Sequence, residues 1–166
     1  MLFRSGASGN PLTLDGNTLT TTSNADQYLS EANSVTIAAG DLTSGAGTIH
    51  FVSGTFITTL TGSIVGPSVV ENGATLAGNG STGAVHNVSG GTINPGTPTT
   101  GVGTLSTGNL DLDAGSTYVL NANLPSVGNY DSISVTGTVD VTNATLNILP
   151  VAGFGAASGP GSTVIV

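Results

Sequence analysis

The apolar positions of this chain fall into short alternating runs, each opened by a turn residue followed by a small residue or threonine. The unit recurs as DGNTLT, GAGTIHF, SGTFIT, NGATLAG, GGTIN, GVGTL, AGSTYVL, TGTVDV, TNATLNI and PGSTVIV. Threonine and the aliphatics suit a half-buried pleated strand, and Gly and Asn supply the positive φ of tight corners. The pattern predicts strand, turn, strand, turn, with helix nowhere. Several intervals between units are about 17 to 21 residues, the length of one rung of a solenoid.

The phase of the alternation locates the bends. In NYDSISVTGTVDVTNATLNI, residues 129–148, Ile133, Val135, Val139 and Val141 share one phase, with Gly137 where another inward side chain would sit. Leu146 and Ile148 have the opposite parity, so the phase slips at Thr142, Asn143 and Ala144. A second slip, at Thr107, Gly108 and Asn109, separates Leu105 from Leu110 and Leu112. Because a one-residue shift turns every side chain to the other face of a strand, each slip predicts a corner. Ile93, Val102, Leu105, Leu110 and Leu112 are then expected to line an interior, with INPGTPTTG bulging from one coil as a loop.

Two all-β architectures fit such a chain. In a parallel β-helix each strand stacks on its counterpart in the next coil. In an antiparallel β-sandwich the same strands are joined by hairpins, and Asp15-Gly16, Asn72-Gly73 and Asn79-Gly80 are hairpin signals. Short strands and an aromatic content of 4% favour the β-helix, since a sandwich wants longer strands and aromatic anchors.

Composition narrows the function. The length of 166 residues suits one domain. Only 6% of residues are charged, against roughly 25% in an ordinary globular chain. One basic residue against nine acidic ones gives a net charge of -8, so no basic patch exists to engage nucleic acid or anionic lipid. The absence of cysteine removes disulfides, thiolate metal sites and a cysteine nucleophile. No apolar run approaches the roughly 20 residues of a membrane helix, so no direct membrane insertion of this segment is expected. Residues 1–5, which hold the one basic residue, Arg4, fit neither the repeating unit nor a secretory signal and read as a non-native leader. The final run, STVIV, stops in mid-strand, and the region is expected to be truncated there.

Candidate chemistry is sparse. A polysaccharide lyase wants a basic Arg or Lys and a cation, and a hydrolase wants two carboxylates, one of them held protonated. Asp111, Asp113, Asp131 and Asp140 are the candidate acids. Alternation puts Asp111 and Asp113 on the strand face opposite Leu110 and Leu112, where carboxylates solubilise or bind calcium weakly. His50 and His86 lie far apart between apolar neighbours and read as structural or surface histidines. Tyr118 and Tyr130 are candidates for stacking on a sugar ring, against a packing role beside Leu120 and at a loop end. The expectation is no catalytic residue, no metal and no cofactor, with Tyr118, Tyr130, Asp111 and Asp113 as candidate ligand contacts. A groove with two inward-leaning carboxylates or a row of exposed aromatics would point instead to a carbohydrate-binding or polysaccharide-degrading β-helix.

The stretch VVENGATLAGNGSTGAVHNVSGGTINPGTPTTGVGTLSTGNLDLDAGSTYVLNAN and the later YDSISVTGTVDVTNATLNILP carry a family resemblance. They resemble the repetitive passenger regions of bacterial autotransporter adhesins and related large secreted surface proteins, in which a GATL turn precedes a GGT, PG, GTL, GNL block and then a YD, VTGTV, ATL block. The family's usual PGNSPG reads PGTPTTG here. The likeness covers residues 69–166, a passenger-like solenoid region, while residues 6–68 share only its Gly, Thr and Asn style and are expected to form irregular solenoid rungs. The resemblance implies a right-handed β-helix at the bacterial cell surface or outside the cell, with a non-catalytic structural or adhesive role. It further implies glycans or surface proteins as partners, and continuation into neighbouring β-helix and a membrane-anchoring region.

Overall fold

The structure, a computed structural model, describes residues 9, 11–14, 18–38, 42–59, 61–97, 101–122 and 130–150. The expected leader at 1–5, the expected truncation in 151–166 and the Asp15-Gly16 turn lie outside the described residues. The chain opens with β1 (Leu12–Leu14) and then makes two passes of similar form, β2 (Thr21–Ser23) with the long β3 (Gln27–Ile37), and β4 (Leu42–Ser44) with the long β5 (Ile49–Thr58). Each later pass has three separate strands. They are β6 (Ser63–Val65), β7 (Ser68–Val70) and β8 (Ala74–Gly78), then β9 (Ser81–Thr82), β10 (Val85–Asn87) and β11 (Thr92–Pro95). The last two passes are β12 (Thr104–Thr107), β13 (Leu110–Leu112) and β14 (Thr117–Ala122), then β15 (Ser132–Val135), β16 (Val139–Asp140) and β17 (Thr145–Pro150).

Successive passes stack as a parallel β-helix with three walls. The first is the six-stranded sheet β15-β12-β9-β6-β4-β2, one strand from each pass. The second contains β7, β10, β13, β16 and the leading halves of β3 and β5; the third contains β8, β11, β14, β17 and their trailing halves. The two walls are one sheet, because β3 and β5 run through the corner that later coils break. A register irregularity between Leu29 and Ser34 marks where β3 turns. The ladders between named strands are parallel, which settles the choice against the sandwich. Asn72-Gly73 and Asn79-Gly80 are corners between consecutive walls, not hairpins: a two-residue NG sequence fixes a tight bend, and the partner strand comes from the next coil.

Stacking produces inward columns. On the second wall Leu29, Phe51, Val70, Asn87 and Leu112 follow one another, and on the third Val35, Phe56, Leu76, Ile93, Tyr118 and Leu146. The apolar members up to Ile93, together with Leu112, are buried in one continuous core, where the Phe51 and Phe56 rings meet at 4.4 Å. Leu105 and Leu110 join it as the alternation predicted, whereas Val102 is only half-buried because it belongs to the loop between β11 and β12. The predicted corners at 107–109 and 142–144 are present, and Asn143 takes a positive φ of 59°. Ile133 and Val135 pack against the core, but Val139 and Val141 are 56% and 53% exposed. Val139 stacks on Leu110, and no further strand covers β16 among the described residues; Val141 lies beyond the strand in the following turn.

The corner leading into the second wall is closed in the same way on five passes. Gln27 N donates to Thr48 O at 2.9 Å, Ile49 N to Pro67 O at 3.0 Å, Ser68 N to Ala84 O at 2.8 Å, Val85 N to Asn109 O at 2.8 Å and Leu110 N to Thr138 O at 2.9 Å. Two corner side chains add a bond to the next coil: Asp26 Oδ1 accepts from Thr48 N at 2.8 Å and Asn109 Oδ1 from Thr138 N at 3.0 Å.

Two glycine corners give the fold a direct test. Gly78 has φ +111°, and a Cβ there would run into the Thr58 carbonyl of the coil beneath; Gly73 has φ +86° with open space around it. Gly78→Ala is expected to lower unfolding stability by about 1–3 kcal/mol, the cost of a forced positive φ. Gly73→Asn is expected to change little, since Asn visits the left-handed region readily. Urea unfolding of the two variants beside the parent chain measures the difference.

Candidate functional site: a histidine and two aspartates beside an outer groove

Alternation that sends Leu29, Phe51, Val70 and Leu112 inward sends the residues between them outward, and these too form a column. Along the second wall Tyr28, His50, Val69, His86, Asp111 and Asp140 are successive register partners. The Tyr28 and His50 rings stack at 4.3 Å, nearly parallel, and His50 Nδ1 lies 2.8 Å from Glu71 Oε1. Further along, His86 is paired with Asp111 and diagonal to Asp113. Its Nε2 is 3.1 Å from Asp113 Oδ2 and 3.9 Å from Asp111 Oδ2. One ligand atom from each of the three residues lies within 4.8 Å of the other two.

These side chains are held by their backbones. Val85 and Asn87 on either side of His86 are buried, as are Leu110 and Leu112 around Asp111. Both β10 and β13 are interior strands of the sheet, with neighbours on each side. Asp113 begins the turn after β13, where its N–H donates to Asn87 O at 3.0 Å and its carbonyl accepts from Ser116 N at 3.0 Å. Beside the cluster runs an open groove of about 390 Å³ along the corner between the first and second walls, whose wall includes His86, Asp111, Thr138 and Asp140.

The candidate residues separate into two groups. Asp111 and Asp113 face outward, as their alternation with Leu110 and Leu112 predicts. Tyr130 is 45% exposed at a bridge to Ala122. Tyr118 belongs to the inward column between Ile93 and Leu146, packed against the core, and its hydroxyl donates to Asp131 O at 3.4 Å. Burial, reinforced by the Asp131 charge, raises the Tyr118 pKa from 10.0 to about 12.

Asp131 and Asp140 serve the frame. Asp131 is 1% exposed; Oδ1 accepts from Gly103 N at 2.8 Å, and Oδ2 accepts from Asn121 N at 2.9 Å and Asn121 Nδ2 at 2.6 Å. It ties the end of the loop after β11 to the end of β14. Asp140 is on the groove, and its Oδ1 accepts from the Thr142 hydroxyl at 2.6 Å and the Thr142 N–H at 3.0 Å. Those bonds, the hydroxyl first, hold its pKa below the ordinary value. The groove thus has two carboxylates, Asp140 held by Thr142 and Asp111 exposed.

Sequence reasoning missed His86 as a partner of the two aspartates and Asp131 as a clip. The signal for Asp131 was its place at the start of a strand after a loop, where Asp commonly accepts backbone N–H groups. For His86 the signal was a shared outward phase in VHN and LDLD, readable only once the coil length is known.

Among the described residues no helix is long and apolar enough to cross a membrane. Comparison with protein-family models finds no match. Comparison with curated proteins likewise finds none.

Asp131→Ala is expected to lower stability by about 3 kcal/mol, because it leaves buried N–H donors without an acceptor. Chemical unfolding reads that loss. For Tyr118 the folded-state pKa is raised, so its proton is bound more tightly in the folded chain; its stabilisation is complete below pH 10 and is lost as pH rises through about 12. Tyr118→Phe is expected to flatten that alkaline fall in a series of unfolding curves across this range.

Proposed function

We propose that this chain is a non-catalytic scaffold segment of a bacterial secreted or cell-surface protein, giving length, rigidity and an outer surface for adhesion. The observation that carries the reading is the use of its acidic side chains. Five of the seven among the described residues accept hydrogen bonds within the frame: Asp26 from Thr48 N, Glu31 from Ala32 N and Asn33 N, Glu71 beside His50 Nδ1, Asp131 from Gly103 and Asn121, and Asp140 from Thr142; Asp111 and Asp113 lie beside His86. A glycosidase keeps one acid protonated and one free across the sugar, and a lyase keeps a cation or a base beside a uronate. In the groove Asp140 is bonded to Thr142, and Asp111 lies beside His86. The resemblance of residues 69–166 to autotransporter passengers supports the surface location and the adhesive role, with glycans or surface proteins as partners.

A carbohydrate-active β-helix is the second reading, favoured by the coincidence of Asp111 and Asp140 in one groove. One experiment separates the two. Beads coated with the full chain are passed over immobilised glycans and host surface proteins, and the soluble chain is incubated with a panel of neutral and uronate polysaccharides. Bead retention with no release of reducing or unsaturated ends is expected. Release of such ends, lost in an Asp111→Asn, Asp140→Asn double variant, overturns the scaffold reading; absence of both retention and cleavage overturns its adhesive part.

A further inference from the structure

We propose that His86, Asp111 and Asp113 bind one divalent transition-metal ion of the zinc class, which fastens β10 to β13. The set is of mixed donors: an imidazole nitrogen from one coil and two carboxylates from the next, with one ligand atom of each within 4.8 Å of the other two. The Nε2 of His86 lies 3.1 Å from Asp113 Oδ2 and 3.9 Å from Asp111 Oδ2. Four-coordinate zinc, with bonds of about 2.0–2.2 Å to N and O, places its ligand atoms about 3.3–3.6 Å apart. The separations of 3.1 and 3.9 Å bracket that range, and the exposed side chain of Asp111 has room to adjust. A divalent ion between the three would replace the pairing of His86 with the aspartates by bonds to neutral imidazole and two anions.

Donor chemistry selects the ion. Calcium takes oxygen ligands, usually six or more, and an imidazole nitrogen is a poor substitute. Imidazole with carboxylates suits zinc and its first-row neighbours. The ladder has already fixed the positions of His86 and Asp111, because each is flanked by buried residues on an interior strand, so little backbone ordering remains for binding to impose. Asp140, the next member of the outward column, adds negative charge beside the site, and the chain as a whole carries -8. Water completes the coordination from the groove side. The inference goes beyond the scaffold reading and does not depend on it.

The test uses the full chain without a histidine tag, titrated with ZnCl₂ in a calorimeter. Binding of a single equivalent is expected, with affinity falling at least tenfold in His86→Gln and in Asp113→Asn and unchanged in His50→Gln. Calcium in large excess is expected to leave zinc binding intact. A second measurement needs no variant to bind: the chain has two histidines, and addition of Co²⁺ is expected to shift or broaden the ring signals of His86 far more than those of His50, two strands away. Unchanged affinity in His86→Gln, displacement of zinc by calcium, or cobalt broadening centred on His50 would each overturn the assignment.

Discussion

A single coil of this protein cannot satisfy its own backbone. Its strands run away from one another around three walls, so the N–H and C=O groups of each find partners only in the coils above and below. That requirement is met by parallel ladders on all three walls and by the same corner bond on five successive passes. In-register stacking then follows: an inward residue must lie on an inward residue, and the core becomes a set of columns instead of a cluster around one centre. The aliphatic and aromatic columns through Phe51 and Phe56 are the hydrophobic counterpart of that backbone constraint.

The constraint acts on the walls and leaves one corner free. Thr21 pairs with Leu42, Leu42 with Ile64 and Ile64 with Thr82, so these coils take 21, 22 and 18 residues. Ser81 then pairs with Ser106 and Ser106 with Ser134, giving 25 and 28. The added residues enter between the third wall and the first, where β11 gives way to β12 and β14 to β15. The β11–β14 ladder is short, two pairs, and the walls resume on either side of the insertions. The insertions leave backbone amides to be satisfied, and Asp131 meets that need by accepting from Gly103 at the end of one insertion and from Asn121 before the next. A carboxylate that composition alone offers as a catalytic acid is thus consumed by the geometry of coil length.

The same variation explains what could be read from the sequence. Alternation and its slips are local, and they gave the absence of helix, the corners at 107–109 and 142–144, and the inward placement of Ile93, Leu105, Leu110 and Leu112. The choice of parallel over antiparallel pairing needed only the shortness of the strands and the lack of aromatic anchors. Column membership is not local. His86 meets Asp111 because the coil between them has 25 residues, and a change of one residue on a wall would have turned one of the two inward. Val102 was misplaced for a related reason, since an aliphatic residue in an insertion obeys the alternation of no wall. Tyr118 shows the converse: its inward position agrees with AGSTYVL as a strand, and the alternation already weighed against a ligand contact.

Chemistry on a β-helix is therefore organised by column, and the outward column of the second wall changes character along its length. Tyr28 stacks on His50, Val69 separates the two halves, and His86, Asp111 and Asp140 follow. The first half offers rings already stacked on each other and a histidine held by Glu71, which leaves little for a ligand to displace. The second half places carboxylates in adjacent rungs at the spacing of neighbouring strands, where their mutual repulsion must be offset. His86 beside Asp111 and Asp113, and Thr142 on Asp140, are the polar partners present in the chain itself. A cation at that end would relieve the same repulsion more completely than one imidazole shared by two aspartates.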